Sequence, residues 1–119
     1  MDFARLRDAV RGLGLNDLLL ISLTRDVRGA SPEVGYNLLQ QEDGVRILAG
    51  NERGQLVEAP YAGCVFADES SACAYVWRRI RTVAAPESLT DEERELNRLE
   101  ALDVLRAGGE RPRDDDPGQ

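Results

Sequence analysis

The stretch that most constrains this chain is CVFADESSACAYVWRRIRTV, residues 64 to 83. Its apolar opening, Val65 and Phe66, runs into Asp68, whose short carboxylate can accept a backbone N–H at a helix start and so marks an N-cap. Glu69 then places negative charge in the first turn, where the helix dipole favours it. Cys73, Val76, Ile80 and Val83 recur at helical spacing on one face. Arg78, Arg79 and Arg81 are expected on the opposite side or near the C-terminal end, where cations are favoured. A helix with one apolar face has to lie on another apolar layer, so the residues before it are expected to supply a sheet.

Those residues do change period. Val34, Tyr36 and Leu38 alternate with polar neighbours, as do Val45, Ile47 and Ala49, and Asp43-Gly44 between them is the pair expected at the centre of a tight hairpin turn. A second turn is expected at Asn51-Glu52-Arg53-Gly54, with Gly54 in the left-handed position, and a third strand around Leu56 and Val57. Pro60-Tyr61-Ala62-Gly63 then leads into Val65 and Phe66. Upstream, Phe3, Leu6, Val10 and Leu13 predict an amphipathic helix over residues 2–12, stopped by Gly12 and Gly14. Residues 16–24 are apolar on both sides, so periodicity leaves helix and strand open; a short strand or extended segment is expected.

Past Pro86, Thr90 with Glu93 three residues on forms a capping box for a final helix carrying Leu96, Leu99, Leu102 and Leu105, which Gly108-Gly109 should stop. Residues 108–119, GGERPRDDDPGQ, have no large apolar side chain to offset the entropy of ordering and read as a disordered acidic tail. The expected fold is therefore α+β: an antiparallel three- to four-stranded meander covered by helices, in the order α-β-β-β-(β)-α-α. Residues 1–107 form one domain, with 90–107 as an appended helix.

The 119 residues, 42% of them hydrophobic, suffice for one modest core. The absence of histidine removes imidazole bases and His-containing metal sites, and the absence of lysine removes Schiff-base and phosphate-loop chemistry. Cys64 and Cys73 are too few for a zinc site or a disulfide framework and are expected to be reduced, Cys73 packed on the apolar helix face. No cofactor and no metal are expected. A carboxylate pair such as Glu52 and Asp68 remains the one route to acid–base catalysis, and in so acidic a chain chance alone supplies such pairs; the expectation is a protein that is not an enzyme. The net charge of −7, with fifteen arginines interleaved among twenty-two acids, argues against nucleic acid; its plainer role is to keep a small domain soluble, and an acidic face that meets a basic protein partner is the functional alternative. The longest apolar run, Leu18 to Ile21, is too short to span a bilayer, so no membrane association and a cytoplasmic location are expected.

The candidate binding surface is a negatively charged rim. Glu42 and Asp43, the Glu52-Arg53 turn, and Asp68-Glu69 flank the strands and could meet at one end of the sheet. Each has a plainer role in a turn or a helix cap. Trp77 lies off the main apolar face, to pack on the final helix or to anchor a partner.

A strand carrying Tyr36, a hairpin, Glu52-Arg53-Gly54, a linker, then Phe66, Glu69, Ala72-Cys73 and Tyr75 on a basic-ended helix resembles small bacterial immunity proteins of polymorphic toxin systems, particularly partners of NAD-glycohydrolase toxins. The resemblance covers residues 14–82, and the linker from Glu58 to Cys64 is longer than in that pattern. It implies a protein that binds a cognate toxin and occludes its active site, with carboxylates of the rim on basic groups and Tyr61 in the cleft. The rival reading is a homodimeric adaptor that pairs through the leucines of the last helix.

Overall fold

The computed structural model describes residues 1–51, 53–58 and 65–110, the side chains of Glu58 and of residues 103–110 excepted. Expectations for Glu52, Tyr61, Cys64 and residues 111–119 lie outside the described residues. The chain has an α+β fold and divides into two compact units, Met1–Ser88 and a second that begins at Leu89.

In the first unit, helix α1 (Phe3–Gly12) starts where the Asp2 carboxylate accepts the Arg5 N–H at 2.9 Å. Leu6 and Val10, one turn apart, are fully buried. Residues 16–24 are helix and then strand. The Asn16 side chain accepts the Leu18 N–H at 3.0 Å and caps one short helix, α2 (Asp17–Leu20), before β1 (Ile21–Thr24). The local cap takes the first half, and the β-branched Ile21 opens the extended half.

Strands β2 (Tyr36–Gln41), β3 (Gly44–Gly50) and β4 (Leu56–Glu58) complete a sheet of order β1-β2-β3-β4. The expected β2-β3-β4 meander is present, but β1 pairs with β2 in parallel, Ile21 opposite Tyr36, so the sheet is mixed rather than wholly antiparallel. A parallel neighbour requires the chain to travel back the length of the strand. Residues 25–35 make that return, and Asn37 fastens it. Fully buried, Asn37 accepts from Ser22 Oγ (2.7 Å) and the Ser31 N–H (3.0 Å), and its amide donates to the carbonyls of Ser31 (2.8 Å) and Leu48 (3.1 Å). This leaves neither end of the amide unsatisfied in the interior.

Gln41 faces Gly44 in the hairpin register, so Glu42 and Asp43 are the central turn residues, where the sequence had suggested Asp43-Gly44. Gly44, at φ 136°, is needed for a different reason: a Cβ there would lie 2.2 Å from the Phe66 carbonyl oxygen. Phe66 and Val45 exchange two backbone hydrogen bonds of 2.9 Å, which draws the chain back against the start of β3.

Asp68 then caps helix α3 (Glu69–Ala84) by accepting the Ser71 N–H at 2.8 Å. One face of the sheet, through Leu38, Val45 and Ile47, packs with Leu6 and Val10 of α1 and with Ala72, Cys73, Tyr75, Val76 and Ile80 of α3. Two expectations for this helix are corrected. Val83 is 83% exposed, in a last turn whose Ala84 is exposed as well. Arg81 is in the last turn, as expected, but it and Arg78 are buried rather than on an outer face, because aromatic rings receive them: the Arg78 guanidinium lies 5.5 Å from the Tyr75 ring centre and that of Arg81 4.9 Å from Trp77.

The second unit is built on helix α4 (Asp91–Glu110). Thr90 and Glu93 form the expected reciprocal capping box, at 3.0 and 3.1 Å. The helix continues through Gly108 and Gly109, beyond the stop expected there; a glycine weakens a helix by about 1 kcal/mol without forbidding it. Leu96, Leu99 and Leu102 are exposed. Among the described residues no helix is long and apolar enough to cross a membrane.

Candidate functional site

The tight β2–β3 turn, the chain from Phe66 to Asp68 and the first turn of α3 surround an open cleft of about 580 Å³, lined by Arg25, Gln40, Gln41, Glu42, Asp68 and Glu69 among others. Each carboxylate is placed by local geometry. Glu42 projects from a two-residue turn, Asp68 is an N-cap, and Glu69 is the first residue of a 16-residue helix. The Phe66–Val45 bridge brings the last two to the end of the sheet where Glu42 sits.

Their electrostatic states differ. Glu69 is engaged on both oxygens, accepting the Phe3 N–H at 2.8 Å and the Gln40 amide at 2.9 Å. Asp68 is held below the ordinary carboxylate range, first by the backbone N–H of Ser71 and then by the Ser71 hydroxyl. At neutral pH it is therefore an acceptor and not a proton donor. Glu42 is exposed, and among the described residues neither it nor the exposed Arg25 across the cleft makes a hydrogen bond or ion pair. Those two are the charges free to meet a partner.

The sequence-derived candidates do not all gather here. Glu42, Asp68 and Glu69 converge as expected. Asp43 shares the turn but faces Arg46, 3.8 Å away. Arg53 is in the β3–β4 turn, at the far end of β3, roughly 20 Å off at about 3.3 Å per strand residue. In a meander consecutive turns fall at opposite ends of the shared strand, which is why Arg53 does not meet Asp68-Glu69 as expected. Trp77 is two turns into α3, half-buried against the core beneath Arg81. Glu52 and Tyr61 lie outside the described residues.

Arg25 and Gln40 are lining residues that sequence reading missed. Gln40 carried a signal, a polar residue just inside the end of an apolar strand; Arg25 carried none, because only the parallel β1–β2 pairing brings it here.

Cys73, next to this site on α3, has no exposed surface, and its thiol is pushed up to about 11 by burial and then by the Glu69 charge. A thiol so protonated is a poor nucleophile at neutral pH. Among the described residues no cluster of three or more histidine, cysteine or acidic side chains could hold a metal ion. Compared with family models, curated proteins and solved structures, the chain matches none.

Proposed function

We propose that this is a non-catalytic binding protein whose cleft receives basic side chains of a protein partner. The observation that carries this reading is the convergence of Glu42 and Asp68 on one open cleft, with Glu42 uncommitted to any internal contact among the described residues. A guanidinium or ammonium entering the cleft would meet the Asp68 carboxylate already held ionised and in place by Ser71, with the uncommitted Glu42 carboxylate across from it. The net charge of −7 adds long-range attraction toward a basic surface and raises the association rate more than the affinity. Arg25 across the cleft favours a partner that presents an acidic residue beside its basic ones.

The resemblance to immunity proteins gives this reading its finer form: the partner is a cognate toxin, and occupation of its active-site cleft silences it. The test is co-expression with the product of the adjacent upstream gene, scored by co-elution and by rescue of growth. Glu42→Arg should weaken binding at least tenfold, about 1.4 kcal/mol, with a steeper loss in salt. Unchanged binding by both Glu42→Arg and Arg25→Glu would remove the cleft from the interface.

A second reading rests on the exposed Leu96, Leu99 and Leu102 of α4, apolar side chains in a row of the kind that interfaces cover. It makes the protein a homodimeric adaptor. Removal of residues 87–119 then converts a dimer to a monomer, which sedimentation measures directly.

A further inference from the structure

A second concavity lies away from the acidic cleft, between the residues around α2 and the last turns of α3. Leu15, Leu20, Ile80, Val83 and Ala84 form its walls, together with Tyr36 and Arg79, and enclose about 250 Å³. The walls are almost wholly apolar. Val83 stands 83% exposed at a helix end whose other large aliphatic residues are buried, and a large apolar side chain left in water beside a hollow is unfavourable unless something covers it.

Arg79 supplies the polar handle. Its neighbours Arg78 and Arg81 are buried with their guanidinium groups over aromatic rings. Arg79 is only half-buried, and among the described residues no carboxylate lies within ion-pair distance of it. A single fork of N–H donors at the edge of an aliphatic hollow matches one carboxylate, whose two oxygens fit it bidentately. It matches a doubly charged phosphate less well, since among the described residues no second cation lines the hollow. The volume lies below the range of about 300–1,000 Å³ usual for drug-sized ligands, so the occupant is one alkyl chain or ring and not a nucleotide or large cofactor.

We propose that this groove binds an apolar monocarboxylate of the medium-chain fatty-acid class, with its carboxylate on Arg79 and its chain against Leu15, Leu20, Ile80 and Val83. This site is independent of the acidic cleft and of the partner proposed for it.

The experiment is a methyl NMR titration of the full chain with sodium octanoate, sodium hexanoate and 1-octanol. Octanoate should give saturable shifts in the methyls of Leu15, Leu20, Ile80 and Val83. Each buried methylene contributes about fourfold in Kd, so hexanoate should bind roughly fifteenfold more weakly. Octanol, which lacks the charge, should bind at least tenfold more weakly than octanoate. Arg79→Gln should lower octanoate to the level of octanol while octanol binding stays unchanged, which also reports that the variant is folded. Absence of saturable shifts, equal binding of octanoate and octanol by the unmodified protein, or shifts in other methyls alone would overturn the proposal. So would shifts of the same methyls with protein concentration in the absence of ligand, since a second copy would then be the occupant.

Discussion

The Glu69 carboxylate caps a helix that is not its own. Glu69 is the first residue of α3, yet its Oε2 accepts the N–H of Phe3, the first residue of α1, at 2.8 Å, while Oε1 accepts from Gln40 of β2 at 2.9 Å. One side chain thus joins both covering helices to the sheet and satisfies an end N–H that has no partner within α1. Glu69→Ala should cost about 2 kcal/mol, since it leaves a backbone donor and an amide without their acceptor. Chemical denaturation measures this. A loss below 0.5 kcal/mol, roughly the scatter of ordinary surface substitutions, would mean that water replaces the carboxylate at no cost. Any binding assay of the cleft should therefore vary Glu42, which makes no such internal contact among the described residues.

Asn37 should be the most sensitive polar position in the first unit. Its four contacts within 3.1 Å span β1, the return segment and β3. Asn37→Ala strands several buried groups and should cost about 3 kcal/mol or more. Asn37→Asp, nearly the same in shape, replaces the donating amide with an oxygen that faces the carbonyls of Ser31 and Leu48, and should be at least as damaging. Urea midpoints of the two variants test this, and an Asp variant close to the unmodified protein would contradict it.

Acid stability should depend on Asp17. This buried carboxylate meets Arg11 Nε at 3.0 Å, and its other oxygen has no hydrogen-bond partner among the described residues. The Arg11 hydrogen bond, opposed in part by burial, holds Asp17 below the ordinary 3.8. A group whose folded pKa is depressed contributes stability that is present above the unfolded pKa and is lost as pH falls through the folded one. Stability should therefore fall as pH drops below about 4, and Asp17→Asn should be less stable at pH 7 with a shallower decline in acid. Parallel acid limbs for the two proteins would assign the loss to other carboxylates.

Cys73 should be inert until the chain unfolds. A thiol raised from 9.0 to about 11 carries roughly 100-fold less thiolate at neutral pH, and its side chain has no exposed surface. In a Cys64→Ser background, labelling by a thiol reagent should follow unfolding and accelerate with denaturant. Fast labelling in native buffer would mean that the first turns of α3 open locally.

Much of this fold was legible because its signals are local. Asp68, Thr90 and Glu93 cap the helices they were expected to cap, and the alternation of Val45 and Ile47 marks the core face of β3. What was not legible depends on pairing between distant segments. The parallel partner of β2 is fixed by Asn37, whose role appears only when Ser22, Ser31 and Leu48 surround it. Arg78 and Arg81 read as surface cations because sequence shows charge but not the rings of Tyr75 and Trp77 that cover the guanidinium groups. The acidic rim was half visible. The Phe66 bridge brings Asp68 to Glu42, whereas the order of the hairpins sends Arg53 to the far end.

Gly44 and Gly54 offer the sharpest contrast, since both hairpin glycines have positive φ but for different reasons. Gly54, at φ 75°, has nothing among the described residues within 4 Å of where a Cβ would be, so Gly54→Ala meets only the left-handed backbone penalty, about 1 kcal/mol. Gly44, at φ 136°, would thrust a Cβ to 2.2 Å from the Phe66 carbonyl and 2.4 Å from Val65 Cγ1. To accept alanine the Val45–Phe66 bridge must part, and with it the tether that sets Asp68 beside Glu42. Gly44→Ala should therefore lose at least 2 kcal/mol more than Gly54→Ala, the scale of an overpacked core site. It should also weaken partner binding through the cleft, while Gly54→Ala leaves binding intact. Equal losses for the two would show that the 65–68 segment yields freely, and that the carboxylates of the cleft are not held in register by the sheet.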